Sequence, residues 1–487
     1  MNKDLNVLSI KQDNTIRDAM ESIGKSGIRI VFIVDESRKL LGVATDGDIR
    51  RSLLAGKTFE SKIADIMRKN PTVFPEGTPA TKLLEVMLEK TIQEIPIVDK
   101  DGILTDVALL SELKSIPLSS PDVTNKEVEI ISQVLSTPYL SIGPKIKEFE
   151  KKMADFIGMK YAVALNSGTS GLHLCVRSLD IKDGDEVITS PFSFIASANC
   201  MLFERAKPVF VDIDKNTLCI DPDKIEEKIT ERTKAILPVH IFGHPCEMEK
   251  IMQIAKKHNL AVIEDACEAL GAEYKGRKAG TFGNAAVFAF YPNKQITTAE
   301  GGIVVTNDEK IAKLCQSMRN QGRDEGDSWL SHSRLGYNYR MTEISAALGV
   351  TQMGRVGEIL RKREEVAESY NKRLSKIEGL KIPYVAPDCK LSWFVYVVRL
   401  DEKFSREDRD AIIQKLGERG ISAKNYFPPI HLEPFYVNMF GFKEGDFPVT
   451  EKVGSRTIAL PFYNNLGEEQ VDYISKNLEA IISKMKK

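Results

Sequence analysis

Over the first hundred or so residues, apolar positions fall in short runs between polar turns, and the pattern occurs twice. Residues 29–51, RIVFIVDESRKLLGVATDGDIRR, align without a gap on residues 93–115, QEIPIVDKDGILTDVALLSELKS, 64 positions further on. Each copy reads as a strand ending in Val-Asp, a turn, a second strand and the start of a helix. Upstream of each lies a Thr followed by helically spaced apolar residues, TIRDAMESIGKSG and TPATKLLEVMLEK. A period of about 60 is too long for a solenoid repeat and predicts two copies of one small α/β unit packed together.

The pattern changes after KSIPLSSPDVTNKEV, whose Pro and Ser cluster marks a domain boundary. From there to about residue 355, β-rich runs (DEVITSPFSF, AKPVFVDID, KAILPVHIFG, LAVIEDACEA) alternate with helical or loop stretches such as DPDKIEEKITER and CEMEKIMQIAKKH. That alternation predicts a parallel sheet with helices on both faces. A further helix, a strand within LSWFVYVVRL and closing helices predict a smaller α+β domain. The expected organisation is therefore 1–114, 115–355 and 356–487.

Composition narrows the partners more than the chemistry. Sixty-eight basic residues stand against 69 acidic ones, a net charge of −1, so no global field draws the chain to nucleic acid or to an anionic membrane. The seven cysteines are odd in number, scattered and never spaced as CxxC, which argues against a disulfide framework or a structural zinc and for buried thiols. The opening MNKDLNVLSIKQDN lacks the apolar core of a signal peptide, and no 18-residue apolar run occurs. A cytoplasmic protein with no resident metal is expected.

Four stretches carry candidate chemistry. FAFYPNKQITTAEGG places Lys294 between an aromatic run and a Thr/Gly-rich turn, a poor position for a solvated charge or a neutral core side chain. ALNSGTSGLHLCV puts a small-residue turn at a helix start, which suits either a phosphate or an ordinary N-cap. AVIEDACEALGAEY ends a strand at Asp265, where an acid either faces a ligand at the sheet's carboxyl edge or caps the next helix. RLGYNYRMTEISAALG sets Asn338 and Arg340 just before an amphipathic helix. A lysine, a carboxylate and a phosphate cradle on one α/β scaffold are what pyridoxal 5'-phosphate (PLP) requires: an amine for its aldehyde, an acid for its pyridine nitrogen and N–H donors for its phosphate.

Residues of about 116–485 resemble the sugar aminotransferases of the DegT/DnrJ/EryC1/StrS family. The match is collinear through LSIGPKIKEFEKKMADFIG, SGTSGLHL, GDEVITSPFSFIASAN, PVHIFG, IEDACEALGAEYKGRKAGTFGNAAVFAFYPNKQITTAEGG, GYNYRMTEISAALG and YFPPIHLEPFY. The resemblance implies a fold-type I PLP-dependent aminotransferase, with a large α/β domain and a small C-terminal domain. It implies that Lys294 holds PLP and moves the proton, that Asp265 pairs with the pyridinium nitrogen, and that Gly168 and Thr169 bind the phosphate. It further implies that Phe194 stacks on the ring, that Glu268 lies beside the phenolic oxygen, and that Asn338 reaches the phosphate of a neighbouring subunit in a homodimer. His431 and Arg340 are candidate substrate contacts. Ala289 stands where many members have a phosphate-binding Ser, Ala299 where Gly is common, and Phe394 where many have His.

The implied reaction moves an amino group from an amino acid, L-glutamate, to a nucleotide-linked keto-sugar. A UDP- or dTDP-4-keto-6-deoxyhexose is expected, for surface polysaccharide or nonulosonic-acid synthesis. Amination at C3 is the alternative, as is a non-catalytic regulatory protein. Residues 1–114 resemble a tandem CBS pair, which implies an adenine nucleotide held by Thr45 and Asp48 in the first copy. The second copy has Leu109-Leu110-Ser111-Glu112 at the corresponding place, so at most one such site is intact, and a purely structural or dimerising pair is the competing expectation.

Overall fold

The computed structural model describes residues 3–113, 116–324, 326, 328 and 331–485. The chain divides into two compact units, Met1–Ile116 and Pro117–Lys487.

In the first unit, β1 (Ser9–Lys11) runs parallel to β2 (Ile30–Val34), which pairs antiparallel with β3 (Leu40–Thr45). β4 (Phe74–Pro75), β5 (Glu94–Val98) and β6 (Leu104–Leu109) repeat this arrangement. The repeat extends to the register. Ile30 faces Thr45 as Glu94 faces Leu109, and the irregularity at Ile33/Val34 recurs at Ile97/Val98. Even the turns match: Asp35 accepts from the N–H groups of Ser37 and Lys39, and Asp99 from those of Asp101 and Ile103. The left-handed position in that turn is Arg38 in one copy and Gly102 in the other. The boundary expected at 114/115 falls on residues outside the described set, as do the side chains of Ser111 and Glu112.

The second unit is built on seven strands: β7 (Tyr161–Leu165), β8 (Glu186–Thr189), β9 (Lys207–Phe210), β10 (Thr233–Ile236), β11 (Ala261–Asp265), β14 (Ala285–Ala289) and β15 (Gly302–Thr306). Two short strands, β12 (Glu273–Tyr274) and β13 (Arg277–Lys278), form a separate hairpin between β11 and β14. The sheet order is β7-β15-β14-β11-β10-β8-β9, and only β15 runs against the others. Buried on both faces, its strands are nearly continuous apolar runs. Val163, Leu165, Ala285, Val287 and Val304 face one core, while Ala162, Ala164, Ala286, Phe288, Ile303 and Val305 face the other. DPDKIEEKITER forms two short 3-10 turns, whereas Met248–Lys257 is a regular helix. β16 (Leu380–Lys381), β18 (Tyr396–Leu400) and β19 (Thr457–Leu460) make a small antiparallel sheet, and β17 (Cys389–Lys390) extends the β12/β13 hairpin. The closing helix Glu468–Met485 packs against the helices Val356–Leu374 and Arg406–Glu418. Among the described residues, no helix is long and apolar enough to cross a membrane.

One buried side chain joins distant parts of this unit. The helix Pro144–Ile157 has Gly143 before it and no capping side chain of its own. Glu343 supplies the cap from 200 residues away: its carboxylate accepts from Gly143 N (3.0 Å), Lys145 N (2.9 Å) and Ile146 N (3.0 Å). A Cβ on Gly143 would lie 2.6 Å from Glu343 Cδ, so the approach requires glycine. Glu343→Ala leaves these amides without their acceptor at the positive end of the helix. An expected loss of about 2–4 kcal/mol, with roughly half for Glu343→Gln, can be read from denaturant unfolding.

Candidate functional site

Parallel strands bring their carboxyl ends to one edge, and the loops leaving that edge build a cavity of about 480 Å³. β7 leads into Ser167 and the helix Gly168–Ser178, β11 ends on Asp265, and β14 leads through Ala289 to Lys294. Because β15 is reversed, its first residue, Gly302, starts at the same edge.

Gly168 and Thr169 line the cavity in the first turn of their helix, where amide N–H groups have no intrahelical acceptor. Ser167 caps the helix by accepting from Ser170 N at 3.1 Å, which leaves those first amides to a ligand. A Cβ on Gly168 would lie 2.7 Å from Ala289 Cβ and 3.0 Å from Cys267 Sγ, so only glycine fits. Ala289 thus stands directly beside the turn, where a serine would offer one more donor.

Asp265 is 5% exposed. Its carboxylate accepts from Ser197 Oγ at 2.6 Å and Cys267 N at 3.2 Å, and Ser193 Oγ lies 2.7 Å from Ser197 Oγ. Both donors are neutral, and among the described residues no cation pairs with it. Lys294 Nζ shares the cavity, 3.5 Å from Glu268 Oε1 and 3.9 Å from the centroid of the buried Phe394 ring. Glu268 accepts from Phe242 N at 2.8 Å through its other oxygen. Burial pushes its carboxyl up, against the opposing pull of Lys294 and the Phe242 amide. An amine, an unneutralised buried carboxylate and a glycine-only helix start around one cavity fit the aldehyde, pyridinium and phosphate of PLP.

Six of the expected residues, Gly168, Thr169, Phe194, Asp265, Glu268 and Lys294, line this cavity, with Phe194 turning an exposed ring to it. Asn338 does not: it is exposed, and its carbonyl accepts from Asn166 Nδ2 at 3.4 Å. Two candidate substrate contacts are corrected. His431 is wholly buried against Phe447, 2.9 Å from Glu451 Oε1, and does not line the cavity. Arg340 bonds Asn320 Oδ1 at 3.0 Å and borders a separate cleft with Lys147 and Arg319. Phe394, which stands where many family members have His, forms the seat beneath the lysine. Ala299 has φ 66°, the left-handed conformation that glycine adopts most easily, which explains the glycine common there.

Sequence reasoning missed Ser193 and Ser197, although their i, i+4 spacing in FSFIASAN could have placed them on one face. It also gave no role to Tyr426 and Phe427, which open the YFPPIHLEPFY stretch and line the cavity from far along the chain.

In the first unit, Thr45 and Asp48 do lie together, but bonded to each other and to arginines. Thr45 caps the helix Asp46–Leu54, and Thr45 Oγ1 donates to Asp48 Oδ2 at 2.7 Å. Asp48 Oδ1 accepts from Arg51 at 2.6 Å and Arg68 at 2.7 Å. A ribose would have to displace these partners.

Comparison with known proteins gives two family matches: the DegT/DnrJ/EryC1/StrS aminotransferase family over residues 121–479, and CBS domains over 1–55 and 63–115. The spore coat polysaccharide biosynthesis protein SpsC of Bacillus subtilis is 39% identical over 354 residues, 71% of this chain and 91% of that protein. GDP-perosamine synthase of Caulobacter vibrioides is 41% identical over 344 residues, 70% and 91% of the two chains. Helicobacter pylori PseC, an aminotransferase involved in the biosynthesis of pseudoaminic acid, superposes with TM-score 0.73 at 32% identity, covering 76% of this chain and all of its own.

The pairing of Asp48 has a measurable signature. Burial alone would raise its carboxyl, but bonds from Thr45, Arg68 and Arg51 outweigh this and hold it at about 2, against an ordinary 3.8. Its contribution is complete above the ordinary value and is lost as pH falls through about 2. Asp48→Asn is expected to remove roughly 1–2 kcal/mol at neutral pH, allowing for solvent around the arginines, and to flatten the acid limb of the thermal melting profile.

Proposed function

Because the chain belongs to the DegT/DnrJ/EryC1/StrS aminotransferase family, we propose that it is a PLP-dependent sugar aminotransferase moving an amino group from L-glutamate to a nucleotide-linked keto-sugar. One observation carries this: Lys294, the unpaired Asp265 carboxylate and the Gly168–Thr169 turn surround one cavity. The polysaccharide and pseudoaminic-acid roles in the names of SpsC and PseC support a surface-glycan sugar as substrate.

Bound PLP supplies an electrophilic aldehyde and an electron-withdrawing ring. Lys294 Nζ would hold it covalently and, once released, accept and deliver the proton that transamination moves. Asp265 would supply the negative charge opposite the pyridine nitrogen, with Ser197 and Ser193 fixing its carboxylate. Amides of Gly168 and Thr169 would bind the phosphate, and Phe194 would cover the ring. Glu268, whose carboxyl burial makes easier to protonate, would share a proton with the phenolic oxygen. Asn338, exposed in its own chain, would reach the phosphate site of a second copy in a homodimer.

The preferred acceptor is a UDP- or dTDP-linked 4-keto-6-deoxyhexose aminated at C4, and the named GDP-perosamine synthases add a GDP-linked sugar to the set worth testing. Purified protein assayed with glutamate and this panel, with the new amine located by NMR, decides nucleotide and position. A new amine at C3 would replace the C4 assignment, and no product from any sugar would favour a regulatory role. Lys294→Arg retains the charge but is expected to lose borohydride-trappable cofactor and at least about 100-fold in turnover. Near-normal turnover by that variant would refute the assignment.

A further inference from the structure

The helix Val356–Leu374 carries the charge-rich stretch RKREE, and Arg361 pairs with Glu365 on its exposed side. Arg363 points the other way and is 3% exposed. One terminal nitrogen, Nη2, donates to the Lys294 carbonyl oxygen at 2.9 Å. The other, Nη1, donates to the carbonyls of Phe394 at 3.0 Å and Trp393 at 3.3 Å. Its Cζ lies 5.5 Å from the Phe462 ring centroid, and its buried Nε has no partner. Among the described residues, no carboxylate bonds to it. Asp122, the acid that acts on it at longer range, is already held by Arg355, Lys362 and Asn464.

A buried guanidinium held only by carbonyls is a costly way to fill space, and apolar residues of similar volume would serve packing as well. What the charge adds is its place behind the main chain of Lys294. The same fork fixes that main chain to Phe394, whose ring seats the Lys294 ammonium.

The geometry points to Arg363 as a positioning residue for Lys294, fixing the main chain of the lysine loop against that of Phe394. This rests on Lys294 being the cofactor-bearing residue. Glu268 lies 3.5 Å from the lysine amine, and Asp265, Cys267 and Tyr426 also face the cavity. Burial pushes the Arg363 guanidinium itself down to about 10, still well above neutral, so the charge is present under working conditions.

The test uses the full-length protein loaded with PLP. Its visible absorbance is recorded, and the lysine–cofactor bond is trapped with borohydride and located by peptide mapping. Arg363→Met removes both charge and fork. Arg363→Lys keeps the charge but cannot span three carbonyls at once. Trapping at residue 294 is expected to fall severalfold in both variants, and the visible band to weaken with it. A Met variant with wild-type trapping and a wild-type band overturns the positioning role, with the assignment of Lys294 left standing. Wild-type protein trapped at another residue overturns both. Where the Met variant does not fold, wild-type trapping yield in the Lys variant overturns the positioning role.

Discussion

A carboxylate with only neutral donors among the described residues, set at the end of a buried strand, is the constraint around which the second unit is organised. Removing such a charge from water is unfavourable unless an opposite charge arrives. Among the described residues Asp265 receives two hydrogen bonds and no cation, so its site is incomplete as an electrostatic object. The surroundings respond in kind. Ser197 and Ser193 orient the carboxylate, the parallel strands hold it at the edge where loops converge, and Lys294 stands across the same space with its own acid, Glu268, beside it. Two acids with different partners can then do different work, and burial makes one of them, Glu268, easier to protonate.

Much of this was legible along the chain, and the reasons are local. The repeat in the first unit could be aligned residue by residue because strand pairing has a period of two and tolerates no slip where one face is buried. Its two hairpins accordingly keep the same register and the same irregularity. The phosphate turn, Asp265 and Lys294 were legible because each sits at the end of a strand with a distinctive run of neighbours. Arg363 was not. In RKREE it looks like one more solvated charge, and only the position of the helix across Phe394 and the lysine loop decides that it faces inward. The role of Tyr426 and Phe427 was hidden for the same reason, since they reach the cavity only through tertiary packing. His431 erred the other way: a histidine in a motif resembles a ligand until its burial beside Glu451 is seen.

The first unit shows how a motif can be present and already satisfied. Thr45 and Asp48 have the spacing of a nucleotide-binding pair, and that spacing is also a capping box, in which side chain and backbone at both ends satisfy one another. Arg51 and Arg68 complete the set around Asp48. A ligand there competes with bonds the fold has already made, so any response to it would include release of the first turn of that helix.

The single reversed strand has its own consequence. Because β15 returns beside β14, the segment bearing Lys294 is a closed loop between sheet neighbours, not an open crossover through a helix. Its ends are tied where Phe290 N donates to Gly301 O at 3.0 Å and Thr298 N to Phe290 O at 2.9 Å. The lysine therefore swings on a short tether anchored at both feet, and the arc its amine can sweep is set by side-chain torsions alone. Lengthening other edge loops would reshape the entrance to the cavity, whereas lengthening this one would move the Lys294 amine itself.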